Sequence, residues 1–363
     1  MSKSIFQVKR RTLHFHVEAG TSRGILTQKN SYFLQISNPD NTGFVGLGEA
    51  GPLFGLSPEY KEDVLDDFQM AINHLSRDLP GDKTEVSQWI SAIPFNQPSF
   101  RLAAEMAMFD YLNQQNGIYF QNDFSASKHP IPINGLIWMG SKEYMQKQIE
   151  SKLAEGLTCL KLKIGAIDFE SELDLIRSIR EAYSEKELTI RLDANGAFPI
   201  HEAANKLEKL SKYGIHSIEQ PIKAGQWNEM ASLCKQSEIP IALDEELIGI
   251  KDSAELLDKI RPAFIILKPS FLGGFGATMQ WINLAKDKQI GWWVTSALES
   301  NVGLQAIAQF TGQFSDLIPQ GLGTGLLYTN NLASGLNTQH GNIYFDSKFP
   351  RENPFQNLSL YKN

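Results

Sequence analysis

From Pro130 onward the chain repeats itself. Short apolar runs recur around Ile133, Leu162, Ile190, Ile218, Ala242, Ile266, Val294 and Ile318, at intervals of 24 to 29 residues. Each run has the length of a buried strand, and amphipathic helical stretches such as 169–183, 201–213 and 253–260 lie between them. A strand, a helix and a further parallel strand join by a right-handed crossover along one sheet. Eight such units predict an α/β fold, a (β/α)8-type barrel. An open doubly wound sheet is the rival, but it calls for a glycine-rich phosphate turn after an early strand, and the chain has none.

Residues 1–129 lack this period and read as an α+β capping domain ahead of a barrel over 130–328. His14-Phe15-His16-Val17 and Tyr32-Phe33-Leu34-Gln35-Ile36 read as antiparallel strands joined by the polar turn Thr21-Ser22-Arg23-Gly24. The stretch 46–59 is rich in Gly and Pro, and Ser57-Pro58-Glu59 predicts a helix start there. Its apolar loop Pro52-Leu53-Phe54 is either a lid or a loop folded onto its own core. Residues 101–113 predict a helix whose small side chains allow close packing. After about Thr329 the repeat stops, and 329–363 are expected to pack back on the cap.

Composition narrows the partners. A net charge of −7 gives no general attraction to nucleic acid or anionic lipid. Two cysteines, Cys159 and Cys234, are too few for a disulfide framework or a thiolate metal cage and suit a reducing compartment. The N-terminus leads into no apolar signal region, and no run approaches the ~18 residues of a membrane span. The expectation is a cytoplasmic enzyme acting on a small molecule, with its oligomeric state left open.

In a parallel barrel the functional side chains sit at the C-terminal ends of the strands. In order these ends are Lys161 and Lys163, Asp193, Glu219, Asp244, Lys268, Ser296 and Gln320. The three acids are 26 and 25 residues apart, one repeat each, so their carboxylates converge at one mouth. Carboxylates that close repel one another unless a cation sits among them. Single oxygen ligands from separate strands suit Mg²⁺ better than Zn²⁺. Taken alone, each acid is as well explained as a cap for the next helix. Three in successive repeats, flanked by strand-end lysines, favour a site.

Lys161 and Lys163 share a face by strand parity, although a lone pair of this kind usually just reaches solvent. Lys268 lies four strands from Lys163, hence across the mouth from it. A divalent ion and neighbouring ammonium groups lower a lysine's pKa and leave an amine able to take a proton. These residue types together specify metal-assisted proton abstraction α to a carboxylate.

Lys161-Leu162-Lys163, Asp193-Ala194-Asn195-Gly196, Glu219-Gln220-Pro221, Leu243-Asp244-Glu245 and Leu267-Lys268-Pro269, in this order, resemble the enolase superfamily. The branch is the one with lysines on strands two and six, the muconate lactonizing group, and the likeness covers nearly the whole chain. It implies that Asp193, Glu219 and Asp244 bind Mg²⁺, with Mn²⁺ as a substitute, and that Lys163 and Lys268 flank the reacting carbon of a carboxylate substrate. Lys161, Arg191 and Asn195 would support metal, lysine or substrate, with plain packing as the alternative for Arg191.

The mandelate racemase branch would place a histidine at the end of strand seven, and none of the seven histidines ends a barrel strand. Dipeptide epimerases carry an Asp-x-Asp near strand eight, where this chain has Gln320-Gly321-Leu322-Gly323-Thr324-Gly325. The missing acid argues for a substrate held by backbone N–H groups. Ser296, Leu298, Ser300 and Gly321 are the expected contacts. Residues 48–59 and 298–304 most resemble the branch's dehydratase, a hydro-lyase of menaquinone biosynthesis that removes water from a hydroxycyclohexadiene carboxylate. The alternatives are an N-acylamino acid racemase or dipeptide epimerase on the same scaffold, or a lyase using one lysine as a Schiff-base nucleophile.

Overall fold

The computed structural model describes residues 3–21, 24–114 and 117–355. The chain opens with an antiparallel sheet of β1 (Ile5–Thr21), β2 (Gly24–Asn38) and β3 (Asn41–Ala50), with β2 in the middle. Tyr32, Phe33, Leu34 and Ile36 of β2 are all buried, because this strand is covered on both faces. Helices α1 (Leu65–Asn73), α2 (Lys83–Ile90) and α3 (Pro98–Asn113) follow. α3 is buried around almost its whole girth, and its Ala103 and Ala107 let β3 approach very closely. A Cβ at Gly46 or Gly48 would overlap the Ala107 or Ala103 carbonyl, so the contact needs glycine.

The repeat then builds a parallel sheet. β4 (Ile131–Pro132) is followed by β5 (Gly135–Ile137), α4 (Lys142–Ala154), β6 (Cys159–Lys163), α5 (Phe169–Ala182) and β7 (Thr189–Asp193). Next come α6 (Ile200–Ser211), β8 (Ser217–Glu219), α7 (Trp227–Gln236), β9 (Ile241–Leu243), α8 (Ser253–Ile260) and β10 (Phe264–Leu267). α9 (Pro269–Leu272), α10 (Phe275–Asp287), β11 (Gly291–Val294) and α11 (Asn301–Thr311) complete it. Strands β5 to β11 lie side by side in chain order. The fold is the expected α/β barrel with an N-terminal antiparallel sheet domain.

Two local expectations are corrected. The eighth strand, expected near Ile318, shrinks to two parallel bridges, Gln320 with Ile133 and Gly321 with Thr295. Pro319 has no N–H to give and the next residues are glycine-rich, so a longer ladder cannot form, yet these bridges still close the ring. The helix expected at Ser57 is also absent: residues 51–64 are turns, and α1 starts at Leu65. Ser57 Oγ accepts from Leu53 N–H at 2.9 Å, and Glu59 is spent elsewhere, accepting from Ser99 N–H at 2.8 Å near the start of α3.

The segment after the barrel turns back. β12 (Leu336–Gln339) and β13 (Asn342–Phe345) form a hairpin whose second strand pairs with β4. Arg351 then donates to Asp110 of α3 at 2.8 Å and to the Tyr119 hydroxyl at 2.7 Å, all three buried.

Glutamates of the first 110 residues cap barrel helices. Glu105 of α3 accepts from Phe275 N–H (2.5 Å) and Gly276 N–H (3.0 Å), the first residues of α10, whose own cap position is Gly274. Glu49 of β3 accepts from Ser300 N–H and Gly303 N–H, both at 2.9 Å, at the start of α11. Burial pushes the Glu105 carboxyl up to about 7 against the pull of these two N–H groups. The folded chain therefore keeps a proton there that the unfolded chain releases. That contribution is complete below the ordinary carboxyl range and is lost as pH rises through about 7.

We predict that Glu105→Gln, which cannot titrate, shows a smaller loss of stability than wild type between about pH 5 and about pH 8. Glu105→Ala should lower stability by roughly 1–3 kcal/mol, because two buried N–H groups lose their acceptor. Urea midpoints across that range, measured beside wild type, check both.

Candidate active site

Strand register decides which side chains meet. Lys161 lies beside Arg191, Lys163 beside Asp193, and Asp193 beside Glu219 across β6, β7 and β8. By parity these side chains share the inner face, while Leu160, Leu162, Ile190 and Leu192 pack outward. Lys163, Asp193 and Glu219 form an upper layer at the strand ends, and Lys161 and Arg191 a layer one pleat below.

Lys161 uses its length to climb. Its amine bonds Glu219 Oε2 and lies 2.9 Å from Asp193 Oδ2. Lys163 donates to the same Asp193 oxygen at 2.9 Å and to Asn195 Oδ1 at 2.7 Å. Asn195 stands at φ 44°, and its Nδ2 reaches Glu245 at 3.0 Å. Lys268, just past the end of β10, pairs with Asp244 at 2.5 Å. Asp193, Glu219 and Asp244 each bring a carboxylate oxygen within 4.8 Å of the others, and all three are buried. Glu219 Oε1 is buried without a hydrogen-bond partner.

That orphan oxygen and the all-oxygen donor set fit a hard divalent cation such as Mg²⁺. The charges point the same way. Burial, with Asp193 and Asp244 adding to it, pushes Glu219 up to about 7 even beside Lys161. Asp193 is desolvated too, but Lys161, Lys163 and Lys268 hold it well below the carboxylate range. Burial and the ammonium groups of Lys161 and Lys268 bring Lys163 down, although Asp193 opposes them. Burial also disfavours charged Lys268, yet Asp244 and Glu245 outweigh it and raise its pKa.

Above these groups lies a cavity of about 200 Å³. Lys161, Lys163 and Lys268 are the charged side chains on its wall; no acid lines it among the described residues. Asn195, Ser296, Leu298 and Gly321 line it as well. Two expected contacts do not. Arg191 lies in the lower layer, its guanidinium 4.1 Å from the Trp293 ring centre and bonded to Pro319 C=O at 2.7 Å, so it fills the barrel floor. Ser300 is consumed as the N-cap of α11, with its hydroxyl 2.5 Å from Glu49, and is fully buried behind the wall.

Other residues complete the wall, and of these only Leu53 and Phe54 were marked in the sequence, as part of an apolar loop. Leu136 and Trp138 come from the first barrel strand and the residue after it, Phe271 from the short helix α9 after Lys268, and Leu53, Phe54 and Leu56 from the cap. Extending the strand-end reading to strand one would have found Trp138. The loop over 52–56 faces the cavity, where Leu53 packs on Phe271 and Ala297.

Comparison with known proteins places this architecture. Residues 144–345 match the enolase C-terminal domain-like family. The o-succinylbenzoate synthase of Desulfotalea psychrophila (strain LSv54) is 45% identical, the match covering 94% of this chain and 99% of that one. The crystal structure of a MenC from Desulfotalea psychrophila LSv54 superposes with a TM-score of 0.81 at 42% identity, covering 94% of this chain and all of that one. A dipeptide epimerase from Cytophaga hutchinsonii, complexed with Mg and a dipeptide, has the same fold, with a TM-score of 0.82 at 23% identity and coverage of 94% and 93%. The chain belongs to the enolase C-terminal domain-like family.

Proposed function

We propose that this chain is an o-succinylbenzoate synthase. It dehydrates 2-succinyl-6-hydroxy-2,4-cyclohexadiene-1-carboxylate to the aromatic product in menaquinone biosynthesis, in the cytoplasm. The close relative of that name over almost the full length of both chains supports the reading. The observation that carries it is the cavity itself. Three lysines and no acid line it among the described residues, between apolar walls from Leu53, Leu136, Trp138 and Phe271. Such a site favours a ring bearing carboxylates and offers nothing to an ammonium group.

Asp193, Glu219 and Asp244 would hold Mg²⁺, the ion that accompanies the related epimerase. When bound, it supplies positive charge to the substrate carboxylate and to the negative charge that grows there in the reaction. Lys163, as the neutral amine, takes the proton from the ring carbon that bears the carboxylate. The electron pair left behind moves into the carboxylate, and returns to form the ring's third double bond, to the neighbouring carbon, as that carbon's hydroxyl leaves with its bonding pair. The Lys163 ammonium gives its proton to that hydroxyl, so the products are an aromatic ring and water, and the lysine returns to its starting state.

Lys268 holds its charge against Asp244 and stabilises the enolate from another strand. Asn195 fixes the Lys163 amine by accepting its hydrogen bond and positions itself on Glu245. Lys161 binds Asp193 and Glu219 together from below. Ser296, Leu298 and Gly321 contribute to substrate contact from the ends of strands seven and eight.

Lysines that line one cavity from separate strands also suit a racemase of N-acylamino acids, in which one takes the proton and the other returns it. Solvent deuterium incorporated at Cα of an N-succinylamino acid, with no aromatic product from the cyclohexadiene, would favour that reading.

The direct test is incubation of the chain with the cyclohexadiene substrate and Mg²⁺, following the ultraviolet absorbance of the aromatic product. We expect Lys163→Ala to lower kcat by about 10²–10⁴-fold while product affinity by calorimetry changes little. Turnover near wild type would remove Lys163 from its role. Chelation by EDTA should abolish turnover, and added Mg²⁺ should restore it. Activity indifferent to EDTA, with borohydride trapping substrate on a lysine, would instead assign the Schiff-base chemistry.

A further inference from the structure

Leu298 sits on the cavity wall at φ 62°, in the left-handed region. A branched, bulky residue is held there at a cost of roughly 1–2 kcal/mol, so something must hold it. Two groups do, both through its carbonyl. Lys29 Nζ donates to Leu298 O at 2.8 Å, and the Tyr328 hydroxyl donates to the same oxygen at 2.6 Å.

Neither donor belongs to the barrel wall. Lys29 lies on β2, its side chain buried and its amine also 3.5 Å from Gly51 O. A Cβ at Gly51 would come within 2.6 Å of that amine, so the glycine makes room for it. The carboxylates of Glu49 and Glu299 lie near enough to support the ammonium charge that burial disfavours. Tyr328 bridges to Phe15, and Leu327 O and Thr329 N–H bond β1 at His16 and His14, so this tyrosine is tied to the edge of the cap sheet. Among the described residues, the Leu298 N–H makes no hydrogen bond.

We propose that Lys29 and Tyr328 are positioning residues, which hold the Leu298 backbone in its left-handed conformation so that its N–H and side chain meet the substrate. They act on the strand-seven loop from the cap sheet, so cap seating and substrate affinity are coupled. The proposal rests on the reading of this cavity as the substrate site, and it adds two residues that never touch the substrate.

Two measurements test it. Crystal structures of Lys29→Met and Tyr328→Phe should show Leu298 leaving the positive-φ region. Retention of positive φ in both variants overturns the proposal, whatever the substrate. In steady-state kinetics with the cyclohexadiene substrate, Tyr328→Phe should raise KM at least about threefold, with kcat within about twofold. Lys29→Met should raise KM more.

A merely structural role would reduce the active fraction, lowering kcat and leaving KM unchanged, and that result counts against positioning. Leu298→Gly separates the two further, because glycine occupies positive φ freely. In that background Tyr328→Phe should change KM less than about twofold, and an undiminished effect overturns the proposal. Should wild type give no aromatic product while Leu298 still flips in the variants, the substrate assignment fails and the conformational lock stands. Tyr328→Phe removes a single oxygen, so it keeps the test open if Lys29→Met does not fold.

Discussion

Everything at the barrel mouth follows from burying three carboxylates beside three ammonium groups. Each of these ions loses hydration on folding, and only close, well-aligned partners offset that loss. Asp193 accepts from two lysines, Glu219 from one, and Asp244 from another. The set balances in formal charge, yet one oxygen of Glu219 remains unbonded. A dication among the acids would therefore meet oxygen ligands already gathered and already desolvated. The strand register is what gathers them, since a one-residue slip of β7 against β6 would turn Asp193 out of the barrel.

The same cluster separates two chemically identical amines. Lys268 has a carboxylate to itself, and Glu245 adds to it. Lys163 shares Asp193 with Lys161 and otherwise faces a neutral amide. One lysine is thereby kept charged and the other is brought closer to neutrality, although they line one cavity. A proton acceptor and a fixed positive charge drawn from one residue type need such unequal surroundings, and here the inequality comes from how many amines each carboxylate must serve.

The barrel and its charged residues were legible in the sequence because both are periodic: strands repeat every 24 to 29 residues, and the strand ends can be read in order. Arg191, open in the sequence between supporting the substrate and plain packing, takes the second part. Parity correctly turned it inward, but parity does not give height, and it lies one pleat too low to reach the cavity. Ser300 misled because a serine opening a helix fits two readings, a ligand contact and an N-cap, and a glutamate 251 residues away selects the second. The apolar wall from the cap was half legible. Leu53 and Phe54 were visible as an apolar loop, but the side they face is fixed by Phe271 and Ala297, which come from distant repeats. Lys29 and Tyr328 gave no local signal, since nothing in their own neighbourhoods reveals that they meet at one carbonyl oxygen.

Apart from Arg191, these misses share one cause, the cap's hold on the barrel. The sequence leaves α10 without a capping side chain of its own and gives α11 only Ser300, and buried glutamates from β3 and α3 supply the missing acceptors. A surface cap would stabilise one helix and nothing else. A glutamate reaching across from another domain makes helix stability and domain seating a single quantity, because neither N–H group can be rehydrated without lifting the cap. Glu49 stands two residues before Gly51, against which the Lys29 amine packs, and Lys29 in turn bonds the loop that leads into α11. One short run at the end of β3 and just beyond it thus sets both the start of α11 and the shape of the cavity wall before it. The cavity wall that the cap shapes is separate from the charged cluster, whose residues stand on the barrel strands or directly at their ends.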